Sequence, residues 1–392
     1  MGTLENLKSS SDYGVEFISE LKGRGLFAKK AYKKGDLIFE ESPLVCAQFS
    51  WNTTYGYLAC EYCMRPLETA AENAKRLSGG SVPELQFPEC SPTDKSCQVK
   101  CETCQKAYCS DSCRKRAWDQ YHKTLCHTSD TSPFSLLEEA WKAMHYPPES
   151  CTIMLLARIF AMVEQQSEQN KEELFNQISN FCSRSSEDCA SLEDKLGSEF
   201  GQRLEHLREL LAVCFPNATI ARAWLTPTGF QWLFTMVAVN GQGVGTSVFS
   251  QWVENVSKQF DGNEEIDAQI DSIYEKLMNH SGCEFLNNEG SALYRLQSSC
   301  NHSCSPNAEI KFPYSNFVLN LMALQDISVG DEICISYMEE DLLERGRGTR
   351  NNYLRSNYYF TCTCEKCQSQ VGDPESESED DGSMSVDSNE ED

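Results

Sequence analysis

The chain has 392 residues, enough for two or three domains with a sizeable hydrophobic core. Hydrophobic residues make up 40% and charged residues 24%, as in ordinary folded proteins. The 59 acidic residues outnumber the 34 basic ones and give a formal net charge of −25. So acidic a surface repels nucleic acid and favours basic protein partners, which argues against a DNA- or RNA-binding role.

The 21 cysteines require a choice between disulfides and metal sites. The N-terminal residues MGTLENLKSSSDYG contain no apolar segment of the kind found in secretory signals. No run of 18 apolar residues predicts a membrane span. We therefore expect a protein that is neither secreted nor membrane-embedded, and in a reducing compartment clustered C-x-x-C pairs predict zinc.

In chain order, the pattern changes character four times. Residues 14–49 predict short β-strands, because their runs of β-branched and aromatic residues are bounded by Gly and Pro. Residues 60–126 form a dense Cys/His block, 133–280 show helical spacing of apolar residues, and 284–338 return to strand-like runs. The two β regions are expected to join in one sheet system. The tail from Gly372 carries ten acids and no bases, and is expected to be disordered.

The Cys/His block has the spacing of four successive zinc-ligand pairs. Four pairs supply eight ligands, the number that two tetrahedral sites need. Scattered cysteines that serve only as small buried side chains are the alternative, but they would not recur at this spacing. An insertion at 64–100 carries two more cysteines, Cys90 and Cys97, that could substitute for a ligand. The eight predicted ligands are Cys60, Cys63, Cys101, Cys104, Cys109, Cys113, His122 and Cys126.

Four short segments outside this block matter together. They are the glycine-rich turn KGRGLFA at 22–28, NHSCSPN at 301–307, GDEICISY at 330–337, and F-x-C-x-C-x2-C at 360–367. In their order and spacing, these segments resemble the signature of SET-domain methyltransferases. The Cys/His block resembles the MYND zinc finger. Over about residues 14–368, the combination resembles the SET and MYND domain-containing lysine methyltransferases.

This resemblance implies an α+β fold. A SET-domain β fold, pseudoknotted near NHSC, would be split by a MYND zinc finger and a helical insertion. A zinc-binding post-SET segment and a disordered acidic tail would follow. The implied boundaries are 1–59 for the first part of the SET domain, 60–126 for the finger with its insertion, 127–283 for the helical insertion, 284–340 for the core SET region, 341–370 for the post-SET segment and 371–392 for the tail.

The resemblance also implies how the zinc ligands group. In MYND fingers the pairs interleave, so Cys60 and Cys63 would share one ion with Cys109 and Cys113. The pairs Cys101–Cys104 and His122–Cys126 would hold the second. The three post-SET cysteines are one ligand short of a closed tetrahedral site, which Cys304 would complete. The expected total is three zinc ions, the third bound by Cys304, Cys362, Cys364 and Cys367.

The remaining site residues follow from the same resemblance. The family takes its methyl group from S-adenosylmethionine, and a catalytic tyrosine there matches Tyr337. A basic residue suits the carboxylate of the donor, and an aromatic residue suits its adenine. The implied donor-binding residues are Lys22, Arg24, Asn240, Asn301, His302, Tyr337 and Phe360. Tyr358 is expected to line the channel for the substrate lysine.

The function implied is a protein-lysine N-methyltransferase that acts on a basic protein, either a histone or a non-histone protein such as a ribosomal protein. The alternative is a catalytically idle scaffold in chromatin regulation, in which the finger binds partners. The family also implies location in the nucleus and cytoplasm and a finger surface for Pro-rich peptides. No direct contact with nucleic acid or membrane is expected.

One further motif partly resembles a dinucleotide-binding fingerprint. The run GQGVG at 241–245 lacks the spacing of a dinucleotide-binding fingerprint and follows an apparent helix, so we interpret it as a loop. The aromatic residues of that helical region, Trp224, Phe230, Trp232 and Phe234, are expected to belong to the core.

Overall fold

The computed structural model describes residues 10–20, 22–82, 84–128, 131–144, 153–181, 186–281 and 287–372. The acidic tail predicted to be disordered lies outside these residues beyond Gly372. Within the described part, the fold is α+β, as expected from the sequence. No helix described there has the length and apolar character to cross a membrane.

The strands of the two β regions do combine, as the sequence indicated. One sheet has the order β1-β2-β12-β9, another β10-β11-β3, and a third β4-β8-β7, while β5 and β6 form a small hairpin. Each of the three larger sheets therefore pairs strands from both ends of the sequence. The strands are β1 Tyr13–Ser19, β2 Gly23–Ala28, β3 Leu37–Glu41, β4 Val45–Gln48, β5 Val99–Lys100, β6 Ala107–Tyr108, β7 Gln242–Thr246, β8 Asn288–Leu293, β9 Asn301–His302, β10 Ala308–Lys311, β11 Leu319–Ala323 and β12 Glu332–Ile335.

Helices fill the region between the zinc block and the second set of strands, as their periodicity predicted. Helix α5 is buried around almost its whole circumference, so it forms the centre of the main core. The helices are α1 Ala70–Leu77, α2 Asp111–Ala117, α3 Lys123–Leu125, α4 Pro133–Met144, α5 Ile153–Gln165, α6 Glu168–Ser179, α7 Ser186–Cys214, α8 Pro227–Asn240, α9 Val248–Gln259, α10 Glu264–Ser281, α11 Glu340–Leu343, α12 Arg347–Tyr358 and α13 Glu365–Ser369.

The interpretation of GQGVG as a loop is wrong. Residues Gln242–Thr246 form strand β7, which pairs antiparallel with β8 in continuous register. Glycines depress strand propensity, but pairing with β8 supplies backbone hydrogen bonds that local propensity does not reveal. The expectation for the aromatic residues is confirmed for Trp224, Phe230 and Phe234, which are buried in the core, while Trp232 is partly buried and packs against it.

The insertion within the zinc block packs away from the main core. Its helix α1 and the segment around Leu85 form a second hydrophobic cluster with α9 and α10. The indole N–H of Trp252 on α9 donates to the carbonyl of Phe87 at 3.0 Å. The long insertion and the last helices of the helical region therefore make up one packed unit.

A buried ion-pair network joins three parts of the chain. Arg158 on α5 donates to the carbonyl of Cys46 on β4 and to the carboxylate of Glu61, both at 2.5 Å. Lys106 lies 3.1 Å from the same carboxylate, and the Arg158 guanidinium stacks over Tyr121 at 4.5 Å. Burial alone would raise the pKa of Glu61, but Lys106 and Arg158 outweigh it and hold that pKa at about 2. The carboxylate is therefore charged at neutral pH.

We expect Arg158→Met to lower the free energy of unfolding by about 2–4 kcal/mol, because it removes the closest partner of the largely buried Glu61 carboxylate and leaves only Lys106 beside it. Urea denaturation followed by circular dichroism measures the change. Arg203→Met is the matched control, since Arg203 pairs with Glu199 on an exposed helix face and should cost less than about 1 kcal/mol. Equal losses in the two variants would contradict the role assigned to the network.

Candidate active site and zinc centres

The structure brings the twelve predicted metal ligands into three groups of four. In each group the ligand atoms all lie within 4.8 Å of one another. The groups are Cys60, Cys63, Cys109 and Cys113; Cys101, Cys104, His122 and Cys126; and Cys304, Cys362, Cys364 and Cys367. These are the groupings that the resemblance implied, including the interleaving in the first two.

The distances between ligand atoms fit tetrahedral zinc. Four thiolates about 2.3 Å from one ion stand about 3.8 Å apart. The observed separations are 3.6 Å for Cys63–Cys109, 3.7 Å for Cys101–Cys126 and 3.6 Å for Cys304–Cys367. A disulfide would need about 2.05 Å. The donor sets and spacings therefore suit structural zinc.

The local backbone explains how the first two pairs converge. In both C-x-x-C turns the residue after the second cysteine, Met64 or Gln105, adopts positive φ and donates its N–H to the carbonyl of the first cysteine. This sharp turn aims both thiols at the same point. Burial lowers the pKa of His122 to about 4, so its imidazole is neutral, the form that binds metal.

The two cysteines of the insertion do not substitute for a ligand in the described structure. The Cys90 thiol is buried and donates to the side chain of Gln259 at 3.3 Å. The Cys97 thiol is exposed and contacts Asp94 at 3.2 Å. Cys60 and Cys63 therefore occupy the ligand positions predicted from spacing.

The predicted active-site tyrosine lies beside the third of these groups. Strand β12 pairs in parallel with β9, which places Asn301 and His302 opposite Cys334 and Ile335, just before Tyr337. The Tyr337 hydroxyl donates to the carbonyl of Cys300 at 2.7 Å. Parallel pairing of two distant segments thus builds the site.

Aromatic rings surround Tyr337. The ring of Tyr358 lies 4.8 Å from that of Tyr337, and the ring of Phe360 lies 6.3 Å away at a right angle. Burial raises the pKa of Tyr358 to about 12, with Tyr353 nearby adding to the effect. The wall beside Tyr337 is therefore aromatic and uncharged at neutral pH.

Two of the residues expected to bind the donor, Lys22 and Asn301, meet at Glu332. The Asn301 side chain donates to its carboxylate at 2.8 Å and to the carbonyl of Arg24 at 2.9 Å, and Lys22 lies 3.7 Å from it. A Cβ at Gly25 would come within 2.6 Å of the Ile18 side chain and 2.9 Å of the Glu332 carboxylate, so a larger residue would require these side chains to shift. The Arg24 guanidinium instead reaches the carbonyl of Asn180, at 2.7 Å.

Asn240 is the last residue of α8. Its amide donates to the carbonyl of Met236, and it is buried. The buried side-chain atoms that find no partner in the described chain include Ser291 Oγ, Gln297 Oε1 and Ser299 Oγ; of these residues, Ser291 lies next to Gly241 and Gln297 donates its amide to Gln242. Buried polar groups are normally hydrogen-bonded, so these orphans fit a region that receives a polar ligand.

Sequence reasoning missed two residues at the third zinc group. Arg350 is fully buried, and its guanidinium lies 3.7 Å from the Cys367 sulfur and 2.7 Å from Gln370. Asn351 accepts from the backbone N–H of Cys362 at 2.7 Å. A cation and an amide that contact thiolates offset their negative charge. No local spacing distinguished either residue from other polar residues of α12.

Comparison with known proteins shows the family to which the chain belongs. The SET domain family model matches residues 23–338. The chain belongs to the SET-domain family. It is 46% identical over 385 residues to Protein-lysine N-trimethyltransferase SMYD5 of Danio rerio, covering 96% of this chain and 92% of the relative. The protein of the same name from Homo sapiens is 44% identical over 373 residues, covering 93% and 88%.

More distant proteins resemble the chain as well. N-lysine methyltransferase SMYD2 of Homo sapiens is 26% identical over 364 residues, covering 92% of this chain and 61% of the relative. A solved SET domain of LSMT, bound to lysine and AdoHcy, has 10% identity and a TM-score of 0.26, covering 91% of this chain and 54% of that one. Membership of the family therefore rests on the family model and the SMYD5 relatives.

We expect the purified protein to contain about three zinc ions per chain and Cys304→Ser about two, because three thiolates cannot close a tetrahedral site. Inductively coupled plasma mass spectrometry measures this. Cys97→Ser should keep three, since its thiol is exposed outside the groups. A content near one in the wild-type chain would contradict the ligand assignment.

Proposed function

We propose that the protein transfers methyl groups from S-adenosylmethionine to a lysine side chain of a basic protein. The observation that carries the proposal is the position of Tyr337, whose hydroxyl is fixed beside the parallel β9–β12 pair and flanked by aromatic rings. The family match and the relatives named as protein-lysine N-trimethyltransferases support it.

The proposed site residues have distinct tasks. Bound to this region, S-adenosylmethionine would supply a methyl group carried on a cationic sulfur. The Tyr337 hydroxyl, oriented by its bond to Cys300, still has acceptor lone pairs that can contact methyl C–H groups. Lys22, Asn301 and Asn240 would hold the polar ends of the donor, and Phe360 its adenine.

The same geometry suits a lysine nucleophile. The amine must be neutral to attack, whereas a free lysine has a pKa near 10.4. An aromatic channel formed by Tyr337 and Tyr358 would desolvate the ammonium group and lower that pKa. The ammonium group would first lose a proton to solvent; the nitrogen lone pair would then form the bond to the methyl carbon as the bond from carbon to sulfur breaks, leaving a neutral thioether and a methylated ammonium group.

The charge of the chain supports the choice of substrate class. A net charge of −25 attracts Lys- and Arg-rich segments, such as those of histones or ribosomal proteins. It also disfavours direct contact with nucleic acid. The names of the SMYD5 relatives support trimethylation as the product. Pro-rich partners at the finger and a location in nucleus and cytoplasm remain part of the same proposal.

The test is transfer of radiolabelled methyl from S-adenosylmethionine to core histones and to a basic ribosomal fraction. The wild-type chain should label a protein, and Tyr337→Phe should lower the rate roughly tenfold or more while donor binding by calorimetry persists. Tyr314→Phe is the control, because this exposed tyrosine lies away from the site. Donor binding by the wild-type chain without labelling of any protein would favour the idle scaffold instead.

We also expect kcat/KM to rise with pH between about 7 and 9 as the substrate lysine loses its proton. Because the pKa of Tyr358 is raised to about 12, its ionisation should add no falling limb in that range. Steady-state rates in constant-ionic-strength buffers measure the profile. If a falling limb appears below pH 9 and vanishes in Tyr358→Phe, the neutral channel wall is ruled out.

A further inference from the structure

Both ring nitrogens of His302 are engaged inside the protein. The backbone N–H of Tyr337 lies 3.0 Å from Nδ1, and the sulfur of Cys304 lies 3.4 Å from Nε2. The residue is 8% exposed. A backbone N–H can only donate, so Nδ1 must offer its lone pair and the ring proton must sit on Nε2. The Nε2–H then donates to the Cys304 sulfur.

We propose that His302 is a positioning residue that couples the Cys304 zinc centre to the backbone of Tyr337. The proposal goes further than the donor-binding role that resemblance implied, and it rests on the function proposed above. One ring bridges a metal-ligand sulfur and the amide of the residue whose hydroxyl faces the reaction. A shift of Cys304 therefore moves Tyr337 through a single rigid ring.

The surroundings hold the imidazole in this orientation. Its ring centroid lies 5.5 Å from that of Tyr337 and 6.2 Å from that of Phe360, so aromatic rings pack on two sides. Parallel pairing with Ile335 fixes its backbone. Outer-shell hydrogen bonds hold metal ligands in a single orientation, and the fixed His302 ring would do this for the Cys304 sulfur.

The arrangement has a consequence for donor binding. With Nδ1 and Nε2 both bonded within the chain, the ring offers no further polar contact to S-adenosylmethionine. Loss of the ring should therefore disturb turnover and zinc retention more than donor affinity. This separates a positioning role from a donor-binding one.

Two substitutions each remove one of the two hydrogen bonds made by the His302 ring. In His302→Gln, the amide nitrogen reaches about as far as Nε2 and can still donate to Cys304, but no acceptor remains near Tyr337. In His302→Asn, the amide oxygen stands about where Nδ1 stood and can accept from Tyr337, but nothing reaches the sulfur. The control is His206→Gln, an exposed histidine on α7.

The zinc-loaded full-length wild-type chain, the two His302 variants and the control are compared by four measurements. These are residue-resolved hydrogen exchange, zinc release to a colorimetric chelator, calorimetry with S-adenosylmethionine, and kcat and KM. His302→Gln should expose the Tyr337 amide to exchange and lower kcat roughly tenfold or more, with donor affinity within about threefold of wild type. His302→Asn should keep that amide protected but release zinc roughly tenfold faster or more.

Unchanged exchange at Tyr337 in His302→Gln, or a donor affinity that falls in step with kcat, would overturn the proposal. Hydrogen exchange and zinc release do not depend on turnover, so both still test the bridge if the wild-type chain transfers no methyl group. That absence of transfer would refute only the proposed function. If neither variant folds, ¹⁵N-histidine NMR of the wild-type chain decides. A proton on Nε2 alone supports the bridge, and a proton on Nδ1 refutes it.

Discussion

One cysteine sulfur joins two segments that lie 58 residues apart in the sequence. Cys304 lies two residues after the end of strand β9, and its sulfur is 3.9 Å from that of Cys362 in the post-SET segment. Four thiolates close together repel one another unless a cation lies between them. A metal at this point therefore sets the position of the post-SET residues Tyr358 and Phe360 relative to Tyr337. The aromatic wall depends on that constraint.

The finger and the helical region depend on a second constraint of the same kind. Glu61 lies between two zinc-ligand cysteines of the finger, and Arg158 on α5 binds both it and the carbonyl of Cys46. A buried charge is tolerated only when it is paired and hydrogen-bonded. The network thus orients the finger on the SET strands, although the two share no sheet.

These two constraints have different consequences for function. The Arg158 network fixes one unit of the protein on another and does not reach Tyr337. The Cys304 group, in contrast, contacts the active-site segment through His302 and is surrounded by Arg350 and Asn351. Disturbing the first should affect stability, and disturbing the second should affect both metal retention and turnover. The experiments proposed for Arg158 and His302 separate these effects.

The sequence determined the metal ligands and the main regions of helix and strand. Zinc spacing is local, because a C-x-x-C turn aims two thiols at one point whatever the rest of the chain does. The helical character of 133–280 and the strands of 14–49 and 284–338 followed from the residue pattern, whereas β7 did not, because its glycines concealed a pairing with β8. The grouping of ligands and the roles of Tyr337, Asn301 and Phe360 came from resemblance and not from spacing.

Only the tertiary structure decided which distant groups meet. Parallel pairing of β9 with β12 placed His302 against Tyr337, and no local pattern predicts a contact across 35 residues. Arg350 and the orphaned oxygens of Ser291 and Gln297 were equally invisible, because burial is a property of the packed chain. Local spacing determines which atoms can bind a metal, whereas long-range packing determines what that metal centre holds in place.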